Sequence, residues 1–328
     1  MGMESQLTLA ANAALLGRTA AACLAAALTC IVAGPPVIAW LKSRFTERIV
    51  SDSPTLNALH AGKRGTPTLG GILIVAALTI GFSLCHDAPL PERLLAIAVT
   101  NLFGLLGGID DWIKATTKRQ GLTVRQKLAG QILLALGTAV AVAFRQPTAT
   151  GANLITQISL VLWFSFVLVA TCNAVNLTDG LDGLAAGSTA ISAAALAIVF
   201  LKSDAAAATG QQAAVLASVA AAFLWFNRYP ARVFMGDAGA FAMGATLCLL
   251  CLQTRREWLL CTAGAVFAAE TLSVIAQVTW FKCTRRRLLL CSPLHNHFVF
   301  RRIAEQKIVR AFWAAGMLAA AAAVIQAG

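Results

Sequence analysis

The sequence predicts an all-α polytopic membrane protein, a single integral domain over residues 1–328 with about ten transmembrane helices. Three observations predict it. Hydrophobic residues make up 58% of the chain and charged residues 12%, with a mean hydropathy of +0.74, outside the range of a soluble globular chain. Apolar runs near the ~20 residues that cross a bilayer recur along the whole length, where a β-barrel would show short alternating segments. Basic residues gather in alternate loops, the pattern of a chain threaded back and forth through a membrane.

The spans are expected at 18–41, 68–86, 93–112, 126–145, 153–174, 183–202, 211–228, 236–254, 258–281 and 308–326. The first has one basic lead-in, Arg18, and runs on through Pro35-Pro36 to Trp40, so it reads as a span and not as a cleaved leader. The ninth carries Glu270 and Gln277. A glutamate at that depth is a functional candidate, unless with Thr271 and Ser273 it only bonds a neighbouring helix. An even number of spans puts both termini on one side. With their flanks, the loops 42–67, 113–125, 175–182, 229–235 and 282–307 hold every Lys and Arg except Arg18, Arg93, Arg145, Lys202, Arg255 and Arg256. The positive-inside rule then makes those loops cytoplasmic and both termini extracytoplasmic.

A net charge of +12 spread over short loops suits anionic membrane lipid and a phosphorylated substrate, not nucleic acid. Most of the nine cysteines lie in or beside apolar runs, where Cys packs as a small hydrophobe. The C-x-x-C of Cys248 and Cys251 falls inside a span, which disfavours a redox or zinc role.

The densest polar stretch is Asn173–Gly183, where Asn173, Asn176, Thr178, Asp179 and Asp182 stand together without a basic residue. A turn between helices needs only two or three such residues, so the stretch reads as a site for a cation or a polar substrate. The third span ends at Asp110-Asp111, followed by Lys114, Lys118, Arg119, Arg125 and Lys127. Adjacent carboxylates repel, and at a helix C-terminus they oppose the dipole, so the pair needs a cation or a proton to justify it. Lys63-Arg-Gly-Thr66-Pro-Thr-Leu-Gly-Gly71 could present cations, hydroxyls and N–H groups to a phosphate, or simply mark a membrane edge. Asp237, after Phe234 and Gly236, is a ligand or an N-cap, and Phe234 stacks on a base or packs. The last loop sets His295, Asn296 and His297 among arginines.

All these groups fall on the cytoplasmic face. Oxygen ligands with several cations and few thiolates indicate Mg²⁺ with phosphate more than zinc. The residues alone therefore lead to a membrane enzyme handling a phosphorylated substrate. A transporter is the rival, but it would place ionisable groups near the midplane, where only Glu270 qualifies.

KRGTPTLGG at 63–71, GGIDDWIK at 107–114, NAVNLTDGLDGLAAG at 173–187, RVFMGDAGA at 232–240, ETLSVIAQV at 270–278 and PLHNHF at 293–298 follow one another in order. In these the chain resembles the polyprenyl-phosphate N-acetylhexosamine-1-phosphate transferases over essentially all ten spans, and within them the muramoyl-pentapeptide branch. The resemblance implies transfer of a sugar phosphate from UDP-MurNAc-pentapeptide to undecaprenyl phosphate with Mg²⁺, releasing UMP, in the bacterial cytoplasmic (inner) membrane. Homodimers are common in the family. It further implies Asp110 and Asp111 at the acceptor phosphate and catalytic centre, Asp237 on the metal, and His295 on the diphosphate or metal. Asn176 and Asp179 would line the nucleotide and metal site, so that Asp237, Asp179 and Asp110 are the candidate ligands. Phe234 would lie against uracil, with Lys63, Lys114 and Lys118 countering phosphate charge. Thr66, Asn173, Asp182, Asn296 and His297 complete the candidate substrate-binding set. Asn296 stands where the family has the middle of three histidines, and Leu69 where it has Met. The alternative within the class is transfer of GlcNAc-1-phosphate from UDP-GlcNAc for a surface polysaccharide.

Overall fold

A computed structural model describes residues 3–45, 65–145 and 153–327. The order is α1 (Met3–Arg44), α2 (Gly71–Ser83), α3 (Leu90–Thr116), α4 (Val124–Ala143), α5 (Leu154–Thr178) and α6 (Leu184–Leu201). A 3-10 turn (Asp204–Ala206) leads to α7 (Ala207–Asn227) and α8 (Gly236–Gln253). Then come α9 (Leu259–Thr262), α10 (Ala265–Thr284), α11 (Leu294–Phe300) and α12 (Glu305–Ala327).

Every predicted span coincides with a helix, and eight of these are long and apolar enough to cross a membrane. The two others fall short for different reasons. Helix α2 has only 13 residues, and α10 is long enough but interrupted by Glu270, Gln277 and Lys282. The first helix is longer than the predicted span because its Ala-rich lead-in is itself a good helix former.

Helix α8 is the centre. Of its apolar window 89% is buried, against 22% for α1 and 28% for α12 at the periphery. It packs on α3, α5 and α2, while α6 pairs with α7, α12 with α6, and α4 with α5. Its small residues (Gly239, Ala240, Ala242, Gly244, Ala245) explain the position, because helices in lipid associate by close van der Waals approach and not by hiding oil from water. A Cβ added at Gly107 of α3 would meet the main chain of Asp237 and Ala238, so these two helices touch backbone to backbone. Between the helices lie the fully buried Phe82, Phe103, Phe164, Phe200, Phe223 and Phe241, whereas Leu133, Ile155, Phe166 and Leu318 point outward, as lipid-facing residues should. All nine cysteines are free, and Cys248 and Cys251 are fully buried packing residues of α8.

Helix ends place the polar residues. Helices α3, α5 and α7 finish, and α4, α6 and α8 begin, at the same end of the bundle. Thr123 starts α4 with a capping box to Gln126, and Asn153 starts α5 by accepting from the Thr156 N–H. At the opposite end Arg18 forks onto Asp87, donating from Nε at 3.0 Å and Nη2 at 2.6 Å, and Gln211 adds a third bond at 3.1 Å. These bonds, Arg18's above all, hold the Asp87 carboxyl below the usual carboxylate range.

Candidate active site

The end of α3 meets the start of α8 in a cluster of three buried carboxylates, Asp110, Asp111 and Asp237, each with an oxygen within 4.8 Å of the others. The adjacent pair, ambiguous in sequence, has two distinct environments. Helix α8 begins without a side-chain cap of its own, since Met235 occupies that position. Asp111 supplies one from the neighbouring helix, accepting the N–H of Asp237 at 3.1 Å and of Ala238 at 3.0 Å. A carboxylate at a helix N-terminus satisfies free donors and is favoured by the dipole. Gly236, with φ +70°, turns the chain so that this approach is open.

Asp110 faces the other way. Its Oδ1 accepts the Leu122 N–H at 2.8 Å, and its Oδ2 lies 2.7 Å from Lys114 Nζ and 3.0 Å from Lys127 Nζ. The segment after α3 can fold back onto it because Gly121 takes φ +97° and has no side chain, where a Cβ would press on the carboxylate at 2.6 Å. Asp237 shares the same two cations, with Oδ2 at 3.2 Å from Lys114 and 2.5 Å from Lys127. Its Oδ1 accepts from Asn176 Nδ2 at 2.8 Å, so α5 contributes too. Asp237 sits in the first turn of α8, but its side chain serves the cluster instead of capping that helix. The Lys127 ammonium also lies over the ring of buried Phe241, 5.7 Å from its centroid.

Three carboxylates against two ammonium groups leave one formal negative charge to be met by a proton or by a further cation. A buried surplus charge is costly unless a further cation approaches. The donors are hard oxygens, the kind Mg²⁺ takes.

The Asn173–Gly183 stretch divides. Asn173 bonds Gln131 of α4 at 2.7 Å and ties two helices together. Asn176 holds Asp237. Asp179 is half-buried at the end of α5, its N–H on the Asn176 carbonyl, and is not in the three-carboxylate cluster. Asp182 accepts the Ala231 N–H at 2.9 Å and, with Asn227 bridging Gly183 N–H and the Val233 carbonyl, pins the loop that leads into α8. From the other side, Gly70 N–H reaches the Phe234 carbonyl, Phe234 N–H the Pro67 carbonyl and Gly71 N–H the Met235 carbonyl. The Thr66–Gly71 motif is thus a main-chain strap on the same loop, with Thr66 and Phe234 half-buried. Lys63 lies outside the described residues. Lys118 is exposed beyond the end of α3.

His295 is buried on α11, with Nδ1 3.1 Å from Oε2 of Glu270 on α10. His297 accepts the Leu290 N–H at 3.2 Å, and Asn296 is half-buried beside them. Sequence reasoning left Lys127 among loop cations and gave Glu270 two readings. Nothing in their spacing shows the first reaching two carboxylates or the second meeting a histidine.

Comparison with known proteins places the chain in a family. The glycosyl transferase family 4 family matches residues 93–255, which contain the three carboxylates and both lysines. A phospho-N-acetylmuramoyl-pentapeptide-transferase of Desulforudis audaxviator is 41% identical over 315 residues, covering 89% of this chain and 93% of its own. One of Desulforamulus reducens is 40% identical, covering 87% and 89%, and one of Granulibacter bethesdensis 37%, covering 93% and 91%. Identity of this order along nearly the whole of both chains extends well past the acidic cluster, and the chain belongs to the phospho-N-acetylmuramoyl-pentapeptide transferase family.

Proposed function

We propose that this protein transfers phospho-MurNAc-pentapeptide from UDP-MurNAc-pentapeptide to undecaprenyl phosphate, giving lipid I and UMP, at the end of the bundle that carries Asp110 and Asp237. The observation that carries it is the convergence of those two carboxylates on Lys114 and Lys127 in a chain 41% identical to a relative of that name. The protein acts as a single integral unit of the bacterial inner membrane. Loop charge assigns the acidic end to the cytoplasm and both termini to the outside.

An oxygen of the acceptor phosphate attacks the β-phosphorus of the UDP-sugar. The new P–O bond forms as the bond to the bridging oxygen breaks, and the electron pair leaves with UMP. Lys114 and Lys127 meet the phosphate oxygens as charge spreads over the transferring group. A phosphomonoester has a second pKa of ~6, so most of the acceptor is already ionised at neutral pH. Asp110 therefore serves to place the two lysines more than to remove a proton, and a direct displacement suffices without an aspartyl intermediate. Asn176 keeps Asp237 turned to the cluster. Asp110 and Asp237 would hold Mg²⁺, with Asp179 at the end of α5 as a further ligand. When bound, the ion would add positive charge where two anionic phosphates meet.

The test uses detergent-purified protein, Mg²⁺, undecaprenyl phosphate and either UDP-MurNAc-pentapeptide or UDP-GlcNAc, following UMP. Release from the muramoyl substrate alone is expected. Release from UDP-GlcNAc alone would move the assignment to the polysaccharide branch.

A further inference from the structure

Glu270 lies in the second turn of α10 and is fully buried. A carboxylate so placed needs a partner. It has two, both from one residue. Its Oε2 lies 3.1 Å from His295 Nδ1, and the His295 main-chain N–H sits 3.2 and 3.4 Å from its two oxygens. Helix α11 has no side-chain cap of its own, so Glu270 also supplies an acceptor at its start. The ring's far side faces the turn after α5. A Cβ at Gly180 would collide with Nε2 and reach within 2.7 Å of Cε1. Gly180 is outside the left-handed region, so the backbone does not demand glycine there; the imidazole does.

We propose that Glu270 is a positioning residue for His295: it takes Nδ1–H and turns Nε2 toward the Asp179–Gly183 turn, where Gly180 leaves room for it. The turn lies one helical turn beyond Asn176, which holds Asp237. A carboxylate on one ring nitrogen fixes the tautomer and the ring plane, leaving the other nitrogen to act. The proposal rests on the transferase reading, in which His295 meets the diphosphate.

Two measurements on the full-length protein decide it. Glu270→Gln is expected to lower kcat 10- to 100-fold with the KM for UDP-MurNAc-pentapeptide within about threefold. In a His295→Gln background the same change is expected to cost less than about twofold, because its effect runs through the histidine. Losses that multiply independently would overturn the proposal. The second measurement is selective ¹⁵N-histidine labelling, practical with four histidines in the chain. A hydrogen-bonded Nδ1–H resonance is expected in the wild type, lost in Glu270→Leu, which has no acceptor, and shifted in Gly180→Ala. A spectrum unchanged in Glu270→Leu would overturn it. If the wild-type protein turned over no UDP-sugar, the function above would fall, while the resonance would still decide the pairing.

Discussion

Where α3 finishes and α8 begins, three buried carboxylates share two ammonium groups. At the other end of the bundle Asp87 has Arg18, half exposed, almost to itself. The second arrangement is balanced and partly exposed, and such pairs add little to stability. The first is unbalanced, buried and drawn from α3, α4, α5 and α8. Shared cations can be redistributed when an anion or a metal arrives, whereas a forked one-to-one pair has nothing to release. The contrast separates a part that braces from the part proposed to react.

The comparison breaks most decisively at Asp237 and Asp110. Asp237→Asn and Asp110→Asn are each expected to lower UMP release by about 10³-fold or more while the protein stays monodisperse on gel filtration. Near-normal turnover in both would show that the charge surplus is not used. Chelation is next: EDTA should abolish turnover and added Mg²⁺ restore it, with Arg18→Ala responding as wild type does. Lys127→Met should cost about 10²-fold in kcat, since both carboxylates then depend on Lys114 alone. Asp111→Asn tests the division within the acidic pair. The asparagine keeps one acceptor for α8, so a loss of about 1–3 kcal/mol in stability is expected, read as a lower thermal midpoint. At the bottom, Arg18→Ala should leave kcat unchanged and the midpoint within about 2 °C. A larger fall would mean that the outer pair does more than brace.

Much of this was legible in the sequence because apolar runs and alternating loop charge answer directly to the bilayer. The helices appear where the runs are, although α2 and α10 show that a run's presence does not guarantee spanning length or apolarity. At the site, residue type identified the acidic pair and Asp237. It could not separate Asp110 from Asp111, because which neighbour turns to α8 depends on helix phase and on a partner more than a hundred residues away. Lys127 was hidden for the same reason: only the fold-back at Gly121 reveals its reach. Asp182, expected in the substrate-binding set, also accepts the Ala231 N–H and so pins the loop before α8, a contact no local pattern announces. Glu270 kept two readings until α11 was seen against it.

The backbone contact of Gly107 with the start of α8 constrains how the enzyme can move. Two helices touching through their main chains have no side-chain cushion to absorb sliding or rotation, so Asp110 and Asp237 travel as one rigid body. The spacing of the two carboxylates is then inherited from the packing of α3 on α8, fixed when the bundle folds.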